Sequence, residues 1–144
     1  MNVNGRCHCG SITFEAEIDQ AKVSLCHCTD CQTLSGSPFR STAFSANNGF
    51  KLLSGQVKIY VKTGSSGAKR QQAFCPECGT TIYATSVPPE PVYGIRTGCI
   101  DLEQRKQLKP SVQIWTRSSM PWVDHIGGVE KVEQARRNGR ADER

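Results

Sequence analysis

The chain alternates apolar and polar residues in short runs. In "ITFEAEI", Ile12, Phe14, Ala16 and Ile18 fall on one side, and Thr13, Glu15 and Glu17 on the other. Period two is the signature of a half-buried strand. "VKIYV" repeats it with Val57, Ile59 and Val61. "AFSANNGFKLLSG" reads as strand, Asn-Asn-Gly turn, strand. "TTIYAT", "VYGIRTGCI" and "SVQIWT" are further β-rich runs, "GSSGAK" is a loop, and Pro88, Pro89 and Pro91 interrupt the chain between strands. Only the end reads as helical: "GVEKVEQARRN" has good helix formers, no proline, and Val129 and Val132 three positions apart. A polar tail, "GRADER", follows. The pattern predicts one mainly β domain of short antiparallel strands with a short C-terminal helix.

At 144 residues the chain has the size of one ordinary domain. Its hydrophobic fraction is 37% and its aromatic fraction 7%, so help from metal or disulfides is expected. Eight cysteines are available for that help. The first residues, "MNVNGRCHCG", lack the apolar stretch of a secretory signal, and no run approaches the roughly 18 apolar residues of a membrane span. A cytoplasmic setting is expected, where clustered thiols point to metal or redox chemistry more than to a disulfide framework. The net charge of +5 is scattered over Arg40, Lys51, Lys58, Lys62, Lys69, Arg70, Arg96 and Arg117, among others. That suits a small anionic ligand, and the lack of a basic block speaks against a dedicated nucleic-acid face.

The cysteines fall into three groups and a singleton: Cys7 and Cys9; Cys26, Cys28 and Cys31; Cys75 and Cys78; and Cys99. "CPECG" has the spacing of a zinc knuckle, with a glycine that tolerates the tight turn. A thioredoxin-like dithiol is the alternative, but that motif precedes a helix, and this one leads into the β-rich "TTIYAT". Cys7 and Cys9, in "CHCG", are the natural source of two more ligands. The four would make a structural site whose binding free energy becomes folding free energy. His8 and His27 lie between cysteines and are expected to be exposed or to stand behind the ligands.

Cys26, Cys28 and Cys31 are three ligands, the number that catalytic zinc sites use while keeping a fourth position for water or substrate. A soft, sulfur-rich site suits a thiolate there. The alternative is a second structural site closed by Cys99 or His27. Spacing alone leaves both readings open.

The stretches "GRCHCGSITFEA", "CHCTDCQTLSGSPF" and "FCPECGTTIY", and more weakly "IRTGCIDL" and "IWTRSSMPWV", resemble the glutathione-dependent formaldehyde-activating family, also called the CENP-V/GFA domain. The resemblance covers the chain to about Val132 and leaves residues 133–144 as a tail. It implies a zinc-containing β-tent fold. It implies one structural zinc held by Cys7, Cys9, Cys75 and Cys78, and a second, where catalysis is proposed, held by Cys26, Cys28 and Cys31. The family's named reaction joins glutathione and formaldehyde into S-(hydroxymethyl)glutathione, a carbon–sulfur lyase reaction in reverse. A small-molecule thiol such as glutathione is therefore the expected partner, with no specific nucleic acid and no membrane. Arg40, just after the cysteine trio, is the first candidate to bind it. Lys69, Arg70, Arg96 and Arg117 are more naturally surface charges.

Two departures from the family pattern stand out. Many relatives have threonine at the position of Cys99, and many carry a basic residue inside or just after the trio, where this chain has Thr29, Asp30, Gln32 and Thr33. Two other functions compete. B-type methionine sulfoxide reductases resemble this architecture, and "RTGCIDL" resembles their reactive-cysteine strand. A non-catalytic zinc module is the third reading. Trp115 and Trp122 are expected to close the core.

Overall fold

The computed structural model describes residues 1–128. The alternating run at the start becomes β2 (Thr13–Cys26), in which Phe14, Ala16 and Ile18 are buried and Glu15 and Glu17 exposed. Seven more strands join it in one sheet: β1 (Asn2–Arg6), β3 (Arg40–Ser54), β4 (Lys58–Thr63), β5 (Lys69–Phe74), β6 (Thr81–Ser86), β7 (Gly94–Arg96) and β8 (Val112–Ile114). The order is β1-β2-β3-β7-β6-β5-β4. All neighbours along it are antiparallel, and β8 runs parallel to the Ser24–Cys26 end of β2. The mainly β, antiparallel reading holds.

Val3, Ile12, Phe14, Ile18, Ile82, Ile95 and Ile100 form the core, none more than 2% exposed. Burying each such side chain is worth about 1.5–3 kcal/mol. Phe50, Tyr83 and Tyr93 pack against this core and on one another, with ring centroids 4.9–5.1 Å apart.

The strand registers also define a polar face. Cys26 stands opposite Arg40, Thr42 opposite Arg96, Ala84 opposite Gly94, and Gln72 opposite Ala84. Opposite residues point the same way, as do residues two apart. Cys26, Arg40, Thr42, Arg96 and Gln72 therefore share one face. Ala43, Ile95, Tyr83 and Ala73 occupy the other.

Several local expectations change. The Asn-Asn-Gly segment does not reverse the chain. Ser45 still pairs with Ile18 and Phe50 with Ala16, so residues 46–49 bulge from a strand that continues, with Asn48 at φ 56°. β2 supplies a partner on both sides of the bulge, and that pairing overrides the local turn chemistry. In "VKIYV", Ile59 and Val61 are 39% and 45% exposed, because β4 is the end strand of the sheet. The strand expected over "VYGIRTGCI" stops at Arg96 and becomes a 3₁₀ turn at Thr97–Cys99. Two short helices lie where none was expected, α1 (Thr29–Ser35) and α2 (Leu102–Arg105). Trp115 and Trp122 do not close the core: they are 45% and 52% exposed. The expected C-terminal helix falls almost wholly outside the described residues.

Candidate metal centres

Two tight turns build the first centre. The β1–β2 turn carries Cys7 and Cys9, and the β5–β6 turn carries Cys75 and Cys78. They are closed alike. Cys7 N donates to Ile12 O at 3.0 Å and Gly10 N to Cys7 O at 3.1 Å. Cys75 N donates to Thr80 O, and Gly79 N to Cys75 O, both at 2.9 Å. Gly10 and Gly79 have φ of 82° and 72°, a region that glycine enters without steric cost.

The four ligand sulfurs all lie within 4.8 Å of one another, with Cys7–Cys9 at 3.5 Å and Cys9–Cys75 at 3.8 Å. Sulfurs bound tetrahedrally about 2.3 Å from zinc stand about 3.8 Å apart, so the donor set fits that ion. Hydroxyls surround it. Ser11 Oγ is 3.2 Å from Cys9 Sγ and 3.4 Å from Cys75 Sγ, and Thr80 Oγ1 is 3.1 Å from Cys78 Sγ. The hydroxyl and backbone N–H of Thr80 bring the Cys78 thiol down to about 5. Burial pushes the Cys7 thiol up, but the Ile12 N–H and the Ser11 hydroxyl outweigh it and leave it lowered.

The second centre sits where β2 gives way to α1. Cys26 ends the strand, Cys28 caps the helix, and Cys31 lies in its first turn. As cap, Cys28 Sγ accepts from Cys31 N at 3.4 Å. Cys26 and Cys28 sulfurs are 3.5 Å apart, and the three ligand atoms lie within 4.8 Å of one another. No fourth His, Cys, Asp or Glu joins this group among the described residues. Burial, with the neighbouring Cys26 thiol, pushes the Cys31 thiol up to about 12, against the pull of Arg40.

A cleft of about 670 Å³ opens beside it, lined by Cys28, Asp30, Lys62, Ser65, Trp115 and Arg117 among others. That volume is ordinary for a small-molecule site. Lys62 and Asp30 form an ion pair across it, and the Arg117 guanidinium lies 4.8 Å from the Trp115 ring centre. The segment carrying Trp115 and Arg117 is tied to the trio: His27 N donates to Ile114 O at 3.0 Å, and Gln32 Nε2 to Ser118 O at 2.9 Å. A hollow of about 420 Å³ over β1, β2 and β3 contains no cysteine.

The sequence profile of the glutathione-dependent formaldehyde-activating enzymes matches residues 2–118. The chain belongs to that family. Among curated proteins it is similar to an uncharacterized lyase of Schizosaccharomyces pombe, 38% identical over 79 residues, which are 55% of this chain and 54% of the relative. The chain thus spans about half the length of the curated relative it matches. Among solved structures it is similar to a Rhodobacter sphaeroides protein, with a TM-score of 0.58 and 20% identity over 74% of this chain and 96% of that one. That likeness concerns the fold.

Within this GFA-family fold, all seven clustered cysteines are gathered as two groups able to hold metal, a donor set consistent with zinc. Cys99 joins neither group. It is 7% exposed, its thiol donates to Thr81 O at 3.1 Å, and burial pushes it up to about 11, the setting of a small interior residue. His8 and His27 are not ligand positions in either group. His27 is fully buried behind the trio, its Nε2 2.8 Å from Gln113 Oε1.

Arg40 is 5% exposed and donates from Nη1 to Gln72 Oε1 at 3.1 Å. Arg96, expected at the surface, is 8% exposed, because its register partner Thr42 places it on the face beneath the trio. Lys69 and Arg117 are exposed and Arg70 half-buried. Among the described residues, no helix is long and apolar enough to cross a membrane. Sequence reading named Lys62 only among the scattered charges and Gln32 only as a departure from the family pattern, and gave no site role to either or to Gln72. The absence of a basic residue inside the trio was the available hint that a cation had to arrive from another strand.

Proposed function

We propose that the protein is a zinc-dependent carbon–sulfur lyase-type enzyme that joins glutathione, or a thiol like it, to a small aldehyde and splits the adduct in reverse, as an S-(hydroxymethyl)glutathione synthase does. The observation that carries this reading is the cysteine trio with no fourth protein ligand among the described residues, open beside a cleft of about 670 Å³. Family membership and the lyase named in Schizosaccharomyces pombe support it. Zinc held by Cys26, Cys28 and Cys31 would supply one position for a sulfur ligand and favour its deprotonated form.

The chain's own residues do the rest. Lys62 and Arg117 receive the carboxylates of a glutathione-like ligand in the cleft, and Trp115 walls it. Arg40 serves the ligand from below. Gln32 holds the cleft wall to the metal loop through Ser118 O and His27 O. In the forward direction a sulfur–carbon bond forms and the thiol proton passes to the carbonyl oxygen. Cys7, Cys9, Cys75 and Cys78 hold the structural zinc and take no part.

The test is to follow S-(hydroxymethyl)glutathione formation from glutathione and formaldehyde by exchange NMR, with protein carrying two zinc ions per chain. A rate above the uncatalysed one, lost in Cys31→Ser, is expected. Fully metallated protein that leaves the uncatalysed rate unchanged overturns the reading.

A further inference from the structure

Two cations are buried behind the cysteine trio, and among the described residues no carboxylate is paired with them. Arg40 and Arg96 are 5% and 8% exposed. Both donate to one neutral acceptor: Arg40 Nη1 lies 3.1 Å and Arg96 Nη2 2.8 Å from Gln72 Oε1. Arg96 Nη1 also donates to Thr42 Oγ1 at 3.2 Å. Arg40 Nε and Nη2 and Arg96 Nε have no acceptor among the described residues. Neither guanidinium is in an ion pair among those residues.

Like charges this close and this deep are costly unless an anion lies within reach. The register puts that anion at the trio. Arg40 stands opposite Cys26, and Arg96 stands opposite Thr42 on the same face. Cys31 is among the groups whose charge both arginines feel.

Three thiolates around a divalent ion leave one net negative charge. The arginines bring two positive ones. Arg70, half-buried, and Lys62, paired with Asp30, also feel this site but are screened by solvent or a partner. Over the trio, its ion and the two buried arginines, the sum is zero only when the fourth position holds a monoanion. Water or a neutral nitrogen donor there leaves one buried positive charge unbalanced. The unpartnered N–H groups are sealed from solvent, so the arginines act through their field and do not grip the ligand.

We infer that Arg40 and Arg96, joined through Gln72, are specificity-determining residues that make the three-cysteine site select an anionic fourth ligand, of the thiolate class, over a neutral one. The inference rests on the proposed function in one respect, that Cys26, Cys28 and Cys31 hold a divalent metal.

The experiment uses the full chain with cobalt(II) in both sites, reading sulfur-to-cobalt absorption while 2-mercaptoethanol or imidazole is added. Gln72→Glu is the deciding variant. It places a carboxylate where the amide oxygen now meets both guanidiniums, so it cancels one of their two charges and leaves the assembly neutral with a neutral fourth ligand, without removing an arginine or opening a cavity. We expect the 2-mercaptoethanol dissociation constant to rise on the order of tenfold, with that for imidazole changed less than about twofold. The folded state is expected to melt no lower than the parent. We expect Arg96→Met to act in the same direction and Arg96→Lys to recover most of the parent's value.

Equal weakening of both probes, or no weakening in Gln72→Glu, overturns the inference. A purely structural role for the arginines predicts that second result. If Arg96→Met does not fold, Gln72→Glu decides alone. A chain that takes up only one cobalt overturns both this inference and the proposed function. A chain with two cobalts and the thiol preference, but no lyase activity, overturns the proposed function alone.

Discussion

Hydroxyls surround one cysteine cluster, and guanidiniums lie behind the other. The four-cysteine centre joins two turns far apart in sequence and is ringed by Ser11 and Thr80, neutral groups that support thiolates locally. The three-cysteine centre is assembled from one contiguous strand-to-helix segment and backed by the charges of Arg40 and Arg96. The first has a full ligand set and links separate parts of the fold. The second has an incomplete set and faces a cleft. On the proposed function the same side chain would do opposite work: cysteine would close the chain in one place and leave a coordination position free in the other.

The largest difference concerns folding. We expect Cys75→Ser to prevent stable folding at 37 °C and Cys31→Ser to leave the thermal melt within a few degrees of the parent. Structural zinc contributes about 10–16 kcal/mol in small zinc domains, comparable to a whole domain's stability of about 5–15 kcal/mol. Circular dichroism melts of the two variants check this, and collapse of both would erase the distinction. Next is metal loss. Limiting chelator is expected to strip one equivalent first and abolish activity with it, while far-UV circular dichroism stays native; metal analysis during the titration shows whether unfolding instead accompanies the first equivalent. A smaller effect is expected at the cleft. Lys62→Ala is expected to raise KM about two- to fivefold with kcat unchanged, the scale of a charge contact from a half-buried side chain, and the difference should shrink at high salt. Steady-state kinetics at two ionic strengths reads it. Of similar size is Thr80→Val, which removes a hydroxyl 3.1 Å from both Cys78 Sγ and His8 N. A loss of about 1 kcal/mol is expected, visible as a lower Tm.

What could be read from the sequence follows the range of each interaction. The cysteine groups were legible because their ligands are close neighbours along the chain, and alternation at Phe14, Ala16 and Ile18 named a real core face. The α1 helix was not, because "TDCQTLS" is one short segment without an apolar stripe, held at its start by the Cys28 thiol. The Asn-Asn-Gly bulge shows the converse: correct local turn chemistry yields when β2 offers pairing on either side. Arg96 was read as a surface charge because arginines usually are. Only its long-range register with Thr42, and through it with the trio, reveals that it is buried beside a candidate metal centre.

Synthesis on the ribosome meets the two centres in a fixed order. Cys26, Cys28 and Cys31 emerge together, so the trio is complete early. Cys7 and Cys9 must wait until Cys78 has followed, a delay of seconds at ordinary elongation rates. During that interval the trio is the one cysteine group of the nascent chain with all its members present. An ion bound by the four-cysteine group, as the proposed function has it, would therefore be the last to find its full coordination, and nascent chains could carry metal at the trio before the N-terminal turn has been clipped to the middle of the chain.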